Sequence, residues 1–396
     1  MSLIRPEIEA LEDSPIVELW RMGYGDPSVI SLFAGESDIP TPAFIGEAAS
    51  RALAEGRTFY SPNRGIPAMR EAIIAYNKRL YGIELPDHRI TLTSSGMSAV
   101  ALIAQATVSP GDNVIAITPS WPNILRANQI NGAEPREVAL SPGNKGWSLD
   151  CEALFRACDA RTKIIYLATP GNPTGWMIER EEAERLLDFA RARGIAIVSD
   201  EVYHRLVYEG PGAERGVAFS FLDIAHPNDP VFVVNSFSKA WAMTGWRLGW
   251  IVFPEGCKDA FEKLIQFSTS GAPEFLQYGA IAAMTDGEQF VKFFADRCRG
   301  GRDLVNRRLA RMPRVRNIPS TGGFYAVFRV DGVNDTLTFC KRAVQDAKVG
   351  IAPGIAFGHG SEKFVRMCYA LSDEKLSLAM DRLESFVASY REDSCG

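Results

Sequence analysis

Residues 231–253 read VFVVNSFSKAWAMTGWRLGWIVF. Two apolar runs, VFVVN (231–235) and GWIVF (249–253), bracket a turn with one lysine, Lys239, and one arginine, Arg247. Runs that are apolar throughout, rather than alternating, belong to strands covered on both faces. A solvated basic loop would not carry three tryptophans among small residues, as Ser236–Trp250 does. GWIVF follows the GWRLG turn closely, as an antiparallel member of a sheet can.

Upstream the same texture recurs in ITLT (90–93), VIAIT (114–118), IIYLA (164–168) and IAIVS (195–199). Helical periodicity lies between several of them. In ERLLDFARARG (184–194), Leu186, Leu187, Ala190 and Arg193 fall three and four apart, and Gly194 is the expected stop. Strand and helix in alternation predict right-handed crossovers and a mostly parallel α/β sheet. Past about residue 290 the pattern changes to a charged helix, then GGFYAVFRV, a polar helix and KFVRMCYAL. That reads as a smaller α+β domain.

The chain has 396 residues, 46% hydrophobic and 23% charged, with a formal net charge of -5. It is long for a single core. The charge balance argues against a nucleic-acid or anionic-membrane surface. No apolar run is long enough to span a bilayer. Cysteines at 151, 158, 257, 298, 340, 368 and 395 form no Cys-x-x-Cys pair. With no apolar signal core in MSLIRPEIEALEDSP, a reduced cytoplasmic chain is expected. His88, His204, His226 and His359 have no ligand spacing, so no metal is expected.

Ligands of parallel sheets bind at the carboxyl ends of the strands, so the polar residues there carry the chemistry. After ITLT, Ser94, Ser95, Gly96, Met97 and Ser98 open a helix whose first amides suit a phosphate, although any Ser-capped helix looks alike. After VIAIT, Trp121 sits in PSWPN, either as a core aromatic or as a flat surface for a planar ligand. After IIYLA, the rigid TPGNPTG presents Asn172. After IAIVS come Asp200, a carboxylate that burial makes costly without a partner, and Tyr203. After VFVVN, Ser236, Ser238 and Arg247 make a dianion site beside Lys239. Apolar and cationic neighbours would depress the Lys239 pKa, as an imine-forming amine requires. A planar, phosphorylated ligand that needs an anionic partner and reacts with a lysine fits all of these. Pyridoxal 5'-phosphate is such a ligand. On that reading Lys239 condenses with the aldehyde and Asp200 keeps the ring nitrogen protonated. Asn172 and Tyr203 bind the ring hydroxyl, and Trp121 stacks on the ring.

These segments resemble the class I and II aminotransferases of the fold-type I pyridoxal-phosphate family over nearly the whole chain. SFSKAWAMTGWRLGW is similar to the family's lysine motif, NPTG to its asparagine motif and SDEVY to its aspartate–tyrosine motif. The resemblance implies a large domain with a seven-stranded, mostly parallel sheet flanked by helices, plus a smaller α+β domain. The bounds it gives are 1–45 for an N-terminal segment packing with the small domain, 46–289 for the cofactor domain and 290–396 for the small domain. KFVRMCYAL implies that Arg366 grips the substrate α-carboxylate, and LFAGESD (32–38) that Gly35 contacts substrate through its backbone. Trp121 and Asn172 are shared with the substrate. YSPNRGIPAMREAI (60–73) implies that Tyr60 reaches the cofactor phosphate of a partner subunit, hence a homodimer with shared sites. Departures from the family pattern are Ser37 for proline, Gly171 for asparagine, and Met97 where a small or polar residue is frequent. They bear on specificity rather than on the cofactor.

The activity implied is ping-pong transfer of an amino group from an L-amino acid to a 2-oxo acid, with Lys239 moving the proton. PSWPN is similar to the tryptophan segment of aspartate aminotransferases and favours a dicarboxylic donor, with alanine, aromatic and methionine-type donors left open and 2-oxoglutarate as the family's acceptor. The only candidate for a second carboxylate-binding arginine is Arg126. A β-lyase acting on cysteine-type substrates uses the same residues and stays open. A non-catalytic regulatory module would carry a DNA-binding segment in front, and the glycine loop near residue 32 leaves no room for one. A nicotinamide dehydrogenase lacks support, since SSGMSAV has no third glycine. His204 is expected to be structural, and the GIAFGHGSEKF loop to border a mobile substrate entrance.

Overall fold

The structure, a computed structural model, describes residues 3–392. Its centre is a seven-stranded sheet in the order Ile90–Thr93, Gly249–Val252, Val231–Ser236, Ala196–Asp200, Thr162–Ala168, Asn113–Thr118, Glu134–Ala139. All neighbours pair in parallel except Gly249–Val252, which is antiparallel to both flanking strands. The six apolar runs are six of these strands and are buried almost residue for residue. The seventh, Glu134–Ala139 (EPREVA), escapes a reading based on apolar runs because it is a half-exposed edge. Pro135 is tolerated there, since an edge strand can spare an N–H.

Helices cover the sheet on both faces. Arg180–Arg193 shows how sequence sets one of them. A capping box between Glu179 and Glu182 starts it, and Gly194 at φ +64° ends it. Ala183, Leu186, Leu187 and Ala190 are its buried face. Arg193 is not part of that face: its charge stays in water, and its guanidinium lies 5.3 Å from the Phe189 ring centroid.

A second, antiparallel sheet runs Val315–Ile318, Tyr325–Val330, Val365–Cys368, Ala352–Pro353. Helices Glu288–Leu309, Thr336–Ala347 and Asp373–Ser389 pack around it in one apolar cluster. Leu19, Leu32 and Phe33 of the N-terminal segment belong to the same cluster. Ile30–Ser31 also pairs in parallel with Val349–Gly350. Trp241 and Trp250 are almost fully buried, each contributing about 2–3 kcal/mol of apolar burial beneath the lysine turn. That explains why a turn carries tryptophans: it is packed from below.

Among the described residues no helix is long and apolar enough to cross a membrane. Cys151, Cys158, Cys257, Cys298, Cys340 and Cys368 are free thiols, and Cys395 lies outside the described residues.

Candidate active site

The parallel strands all deliver their carboxyl ends to one edge of the sheet. A cavity of about 510 Å³ opens there, facing the second sheet and the N-terminal loop. Lys239, Asp200, Asn172, Trp121 and Arg366 all line it.

One end is an anion cradle. Helix Gly96–Thr107 starts at Ser95, whose Oγ accepts from the Ser98 amide at 2.9 Å. Its N-terminal amides carry the positive end of the helix dipole. A Cβ on Gly96 would sit 3.3 Å from the Ser236 Cβ, and one on Gly249 only 2.7 Å from the Gly96 nitrogen. Two glycines thus let the helix start close against the strand ends. Ser236 Oγ donates to Ser238 Oγ at 2.9 Å and accepts from the Ser238 amide at 3.1 Å. Arg247 adopts a left-handed φ of +51° and donates to the Thr244 carbonyl at 2.7 Å, which holds its side chain on the cavity. Ser98, by contrast, lies in the helix's first turn but does not line the cavity: its amide turns back to Ser95.

Asp200 lies on the cavity floor at the end of its strand. Tyr166 Oη donates to Asp200 Oδ2 at 2.7 Å, and the Val202 amide donates to Oδ1 at 3.3 Å. Burial pushes the Asp200 carboxyl above the ordinary carboxylate range, while these two donors pull it back. A buried carboxylate with one side toward an open cavity is ready for a cationic or N–H partner.

Between floor and rim sits Lys239. Its Nζ donates to the Gly35 carbonyl at 2.6 Å and lies 5.5 Å from the centroids of the Tyr203 and Phe324 rings. Burial, with the Arg366 cation acting in the same sense, lowers its pKa to about 8. Gly35 has no room for a side chain, because a Cβ would come within 2.3 Å of Tyr325 Oη. Tyr203 and Tyr325 share a hydrogen bond of 2.8 Å between their hydroxyls.

Arg366 forms the far wall. It is buried, lies between the rings of Tyr325 (4.5 Å) and Phe357 (4.8 Å), and donates to Asn172 Oδ1 at 3.2 Å and to the Phe33 carbonyl. Its Nε has no partner among the described residues. A guanidinium so stacked is fixed in plane, as bidentate recognition of a carboxylate requires. Gly171 beside it is dictated by the turn: a Cβ there would stand 2.7 Å from Thr174 Oγ1.

The residues present fit pyridoxal 5'-phosphate. The serine–arginine cradle suits its phosphate, the buried Asp200 its ring nitrogen, and the depressed lysine its aldehyde.

Two expectations need correction. Arg126 does not reach the cavity: it donates to Glu12 at 2.6 Å and to Gln129 at 2.9 Å. The 354–364 loop does not border the cavity either. It is pinned, with the His359 amide on Glu137 Oε2 at 2.5 Å, its carbonyl accepting from Thr118 Oγ1, and Ser361 Oγ donating to the Gly354 and Gly358 carbonyls. Only through Phe357, packed on Arg366, does it touch the site. Tyr60, expected at a partner subunit's site, is 93% exposed and outside this chain's cavity. His204 is buried between Tyr76 Oη (2.7 Å) and the Glu201 carbonyl (3.0 Å), and burial drives its pKa down to about 3. Tyr166, Tyr325 and Phe357 escape the sequence reading. No spacing ties Tyr325 to Tyr203, 122 residues away.

A family model described as aminotransferase class I and II matches residues 27–383. The chain is 33% identical to an aspartate aminotransferase of Pyrococcus horikoshii over 384 residues, 96% of each chain. It is 32% identical to aromatic-amino-acid aminotransferase 2 of Thermococcus litoralis, over 95% of this chain and 96% of that one. The fold matches the solved structure of an alanine aminotransferase from Pyrococcus furiosus with a TM-score of 0.90 at 26% identity, covering 98% and 100%.

Proposed function

The chain belongs to the class I and II aminotransferases, enzymes that depend on pyridoxal 5'-phosphate, and from that premise we propose that it moves an amino group from an L-amino acid to a 2-oxo acid, both reacting in the one cavity. The observation that carries this is Lys239, an amine whose Nζ donates to the Gly35 carbonyl at 2.6 Å and which lines one cavity with the buried carboxylate of Asp200 and the stacked guanidinium of Arg366.

When bound, pyridoxal phosphate supplies an aldehyde that condenses with amines and a protonated ring that draws electrons from the substrate α-carbon. Ser236, Ser238, Arg247 and the amides of Gly96 and Met97 would hold its phosphate, with Ser98 supporting that turn. Asp200 would keep the ring nitrogen protonated, Asn172 and Tyr203 would bind the ring hydroxyl, and Trp121 would stack on the ring. Arg366 orients the substrate by its α-carboxylate, and the Gly35 backbone borders the same end. Lys239 Nζ, near its pKa at neutral pH, takes the α-proton and returns it, the optimum condition for a group that is base and acid in turn. The two substrates then alternate in a ping-pong cycle.

The reading extends to assembly and domains. Tyr60 reaches the phosphate site of a partner subunit, so the working unit is a homodimer; the 81% and 93% exposure of Phe59 and Tyr60 supports this. Residues 46–289 bind the cofactor and 290–396 carry Arg366. Residues 1–45 pack with the latter, which the apolar contacts of Leu19, Leu32 and Phe33 support.

The test is the visible spectrum of the purified, cofactor-loaded protein on adding single L-amino acids without an oxo acid. Loss of the yellow band with one equivalent of oxo acid released per site is expected. Release of pyruvate and ammonia from a cysteine-type substrate, turnover after turnover, would replace transamination by β-lyase chemistry. A band that no amino acid changes would overturn both.

A further inference from the structure

We propose that Tyr325 is a positioning residue of this site: its hydroxyl donates to Tyr203 and strengthens the hydrogen bond that Tyr203 gives the cofactor's ring hydroxyl, while its ring holds the Arg366 guanidinium in plane. The inference rests on the aminotransferase reading above and extends it to a residue that no sequence motif singles out.

The placement follows from strand register. In the second sheet Val327 lies opposite Arg366, and Tyr325 lies opposite Cys368. Tyr325 and Arg366 are therefore diagonal neighbours on one face of that sheet. The guanidinium carbon of Arg366 stands 4.5 Å from the centroid of the Tyr325 ring. At its other end Tyr325 reaches the turn after strand Ala196–Asp200, where its hydroxyl lies 2.8 Å from that of Tyr203. Gly35 makes room for the contact, since a Cβ there would come within 2.3 Å of Tyr325 Oη. The same glycine offers its carbonyl to Lys239 Nζ at 2.6 Å. Tyr325 and Tyr203 are 1% and 3% exposed and both line the cavity. The pair is made within one chain and needs nothing from a partner subunit.

Counting protons gives the direction of the bond. Burial raises both phenols above their ordinary range, so each keeps its one proton near neutral pH. Tyr203 is the one hydrogen-bond partner of Tyr325 Oη among the described residues. With the Tyr203 proton given to the ring oxygen, the proton between the two hydroxyls is that of Tyr325. A hydroxyl that accepts a hydrogen bond donates more strongly in turn. In pyridoxal phosphate the ring hydroxyl neighbours the aldehyde that takes the lysine. Charge on that oxygen holds a proton on the lysine nitrogen, and donation from Tyr203 draws this charge away. Tyr325 thus favours loss of that proton.

The experiment titrates the yellow band of the cofactor-loaded protein against pH in wild type, Tyr325→Phe, Tyr203→Phe and the double variant. Tyr325→Phe removes one oxygen and keeps the ring, and should raise the midpoint by about 0.5–1 pH unit. Added to Tyr203→Phe, the same change should move the midpoint by less than about 0.3 unit, because its effect passes through Tyr203. The donor KM should stay within about twofold in Tyr325→Phe and rise about tenfold in Tyr325→Leu, which loses the stacked ring. An unmoved midpoint in Tyr325→Phe, or an equal shift with and without Tyr203, would overturn the coupling. An unchanged KM in Tyr325→Leu would overturn the part given to the ring. A wild-type band that no amino acid converts would overturn the aminotransferase reading, while the titration would still decide for or against the coupling.

Discussion

The Nζ of Lys239 donates a 2.6 Å hydrogen bond to the carbonyl of Gly35, 204 residues away in the chain. The bond joins the large sheet's lysine turn to the N-terminal loop, and Gly35 in turn abuts Tyr325 of the second sheet. One amine thus sits where three segments distant in the chain meet. Its burial there is what lowers its pKa.

That lowered pKa has a kinetic consequence. Only the neutral amine attacks an aldehyde, so covalent loading of the apoprotein with pyridoxal phosphate should accelerate as pH rises and level off above about 8. Borohydride trapping followed by mass measurement reads the rate. Lys239→Ala should trap nothing and should lose transamination. A loading rate that does not change across this pH range would refute the depressed amine.

Tyr166 matters through Asp200. Its hydroxyl donates the 2.7 Å bond that favours the ionised carboxylate, against the burial that opposes it. Tyr166→Phe should therefore lower kcat/KM by about tenfold, the size of one hydrogen bond to a charged group. Asp200→Asn, which keeps the shape and removes the charge, should cost on the order of a hundredfold or more. Steady-state kinetics on both variants decide; an unchanged Asp200→Asn would remove the ring-nitrogen role.

For Arg366 the expected split is in KM. Lysine cannot reproduce a planar fork stacked between Tyr325 and Phe357. Arg366→Lys should raise the donor KM about tenfold or more with a smaller change in kcat, since α-carboxylate binding persists from ground state to transition state. A fall confined to kcat would contradict the grip.

Glu201 provides a stability test. It is buried beside Asp200, and its Oε1 accepts from Ser199 Oγ at 2.9 Å and the Phe221 amide at 3.0 Å. Burial raises its pKa from the ordinary 4.5 to about 8. Between those values the folded chain binds more protons than the unfolded one. The stabilisation this group gives is complete below pH 4.5 and is lost as pH rises through about 8. Glu201→Gln keeps the accepting oxygen and removes the titration, so it should raise Tm by about 2–4 °C at pH 8 relative to wild type and less at pH 5. Calorimetric scans at the two pH values check the sign; an equal shift at both would refute it.

What the sequence determined by itself was local. Apolar runs marked six strands, and the segments that follow five of them placed Ser95, Trp121, Asn172, Asp200 and Lys239 at one sheet edge. This works because parallel strands carry the ends of neighbouring runs to the same side. The edge strand Glu134–Ala139 escaped because half-exposure allows a polar sequence. Arg366 and Gly35 came from family resemblance, not from spacing. The tertiary structure alone decided the contacts between segments far apart in the chain: Tyr166 on Asp200, Tyr203 on Tyr325, Arg366 on Asn172, and Arg126 turned away onto Glu12. Such contacts depend on which strands lie side by side and on how the two sheets and the N-terminal segment pack together, and no local periodicity records that packing.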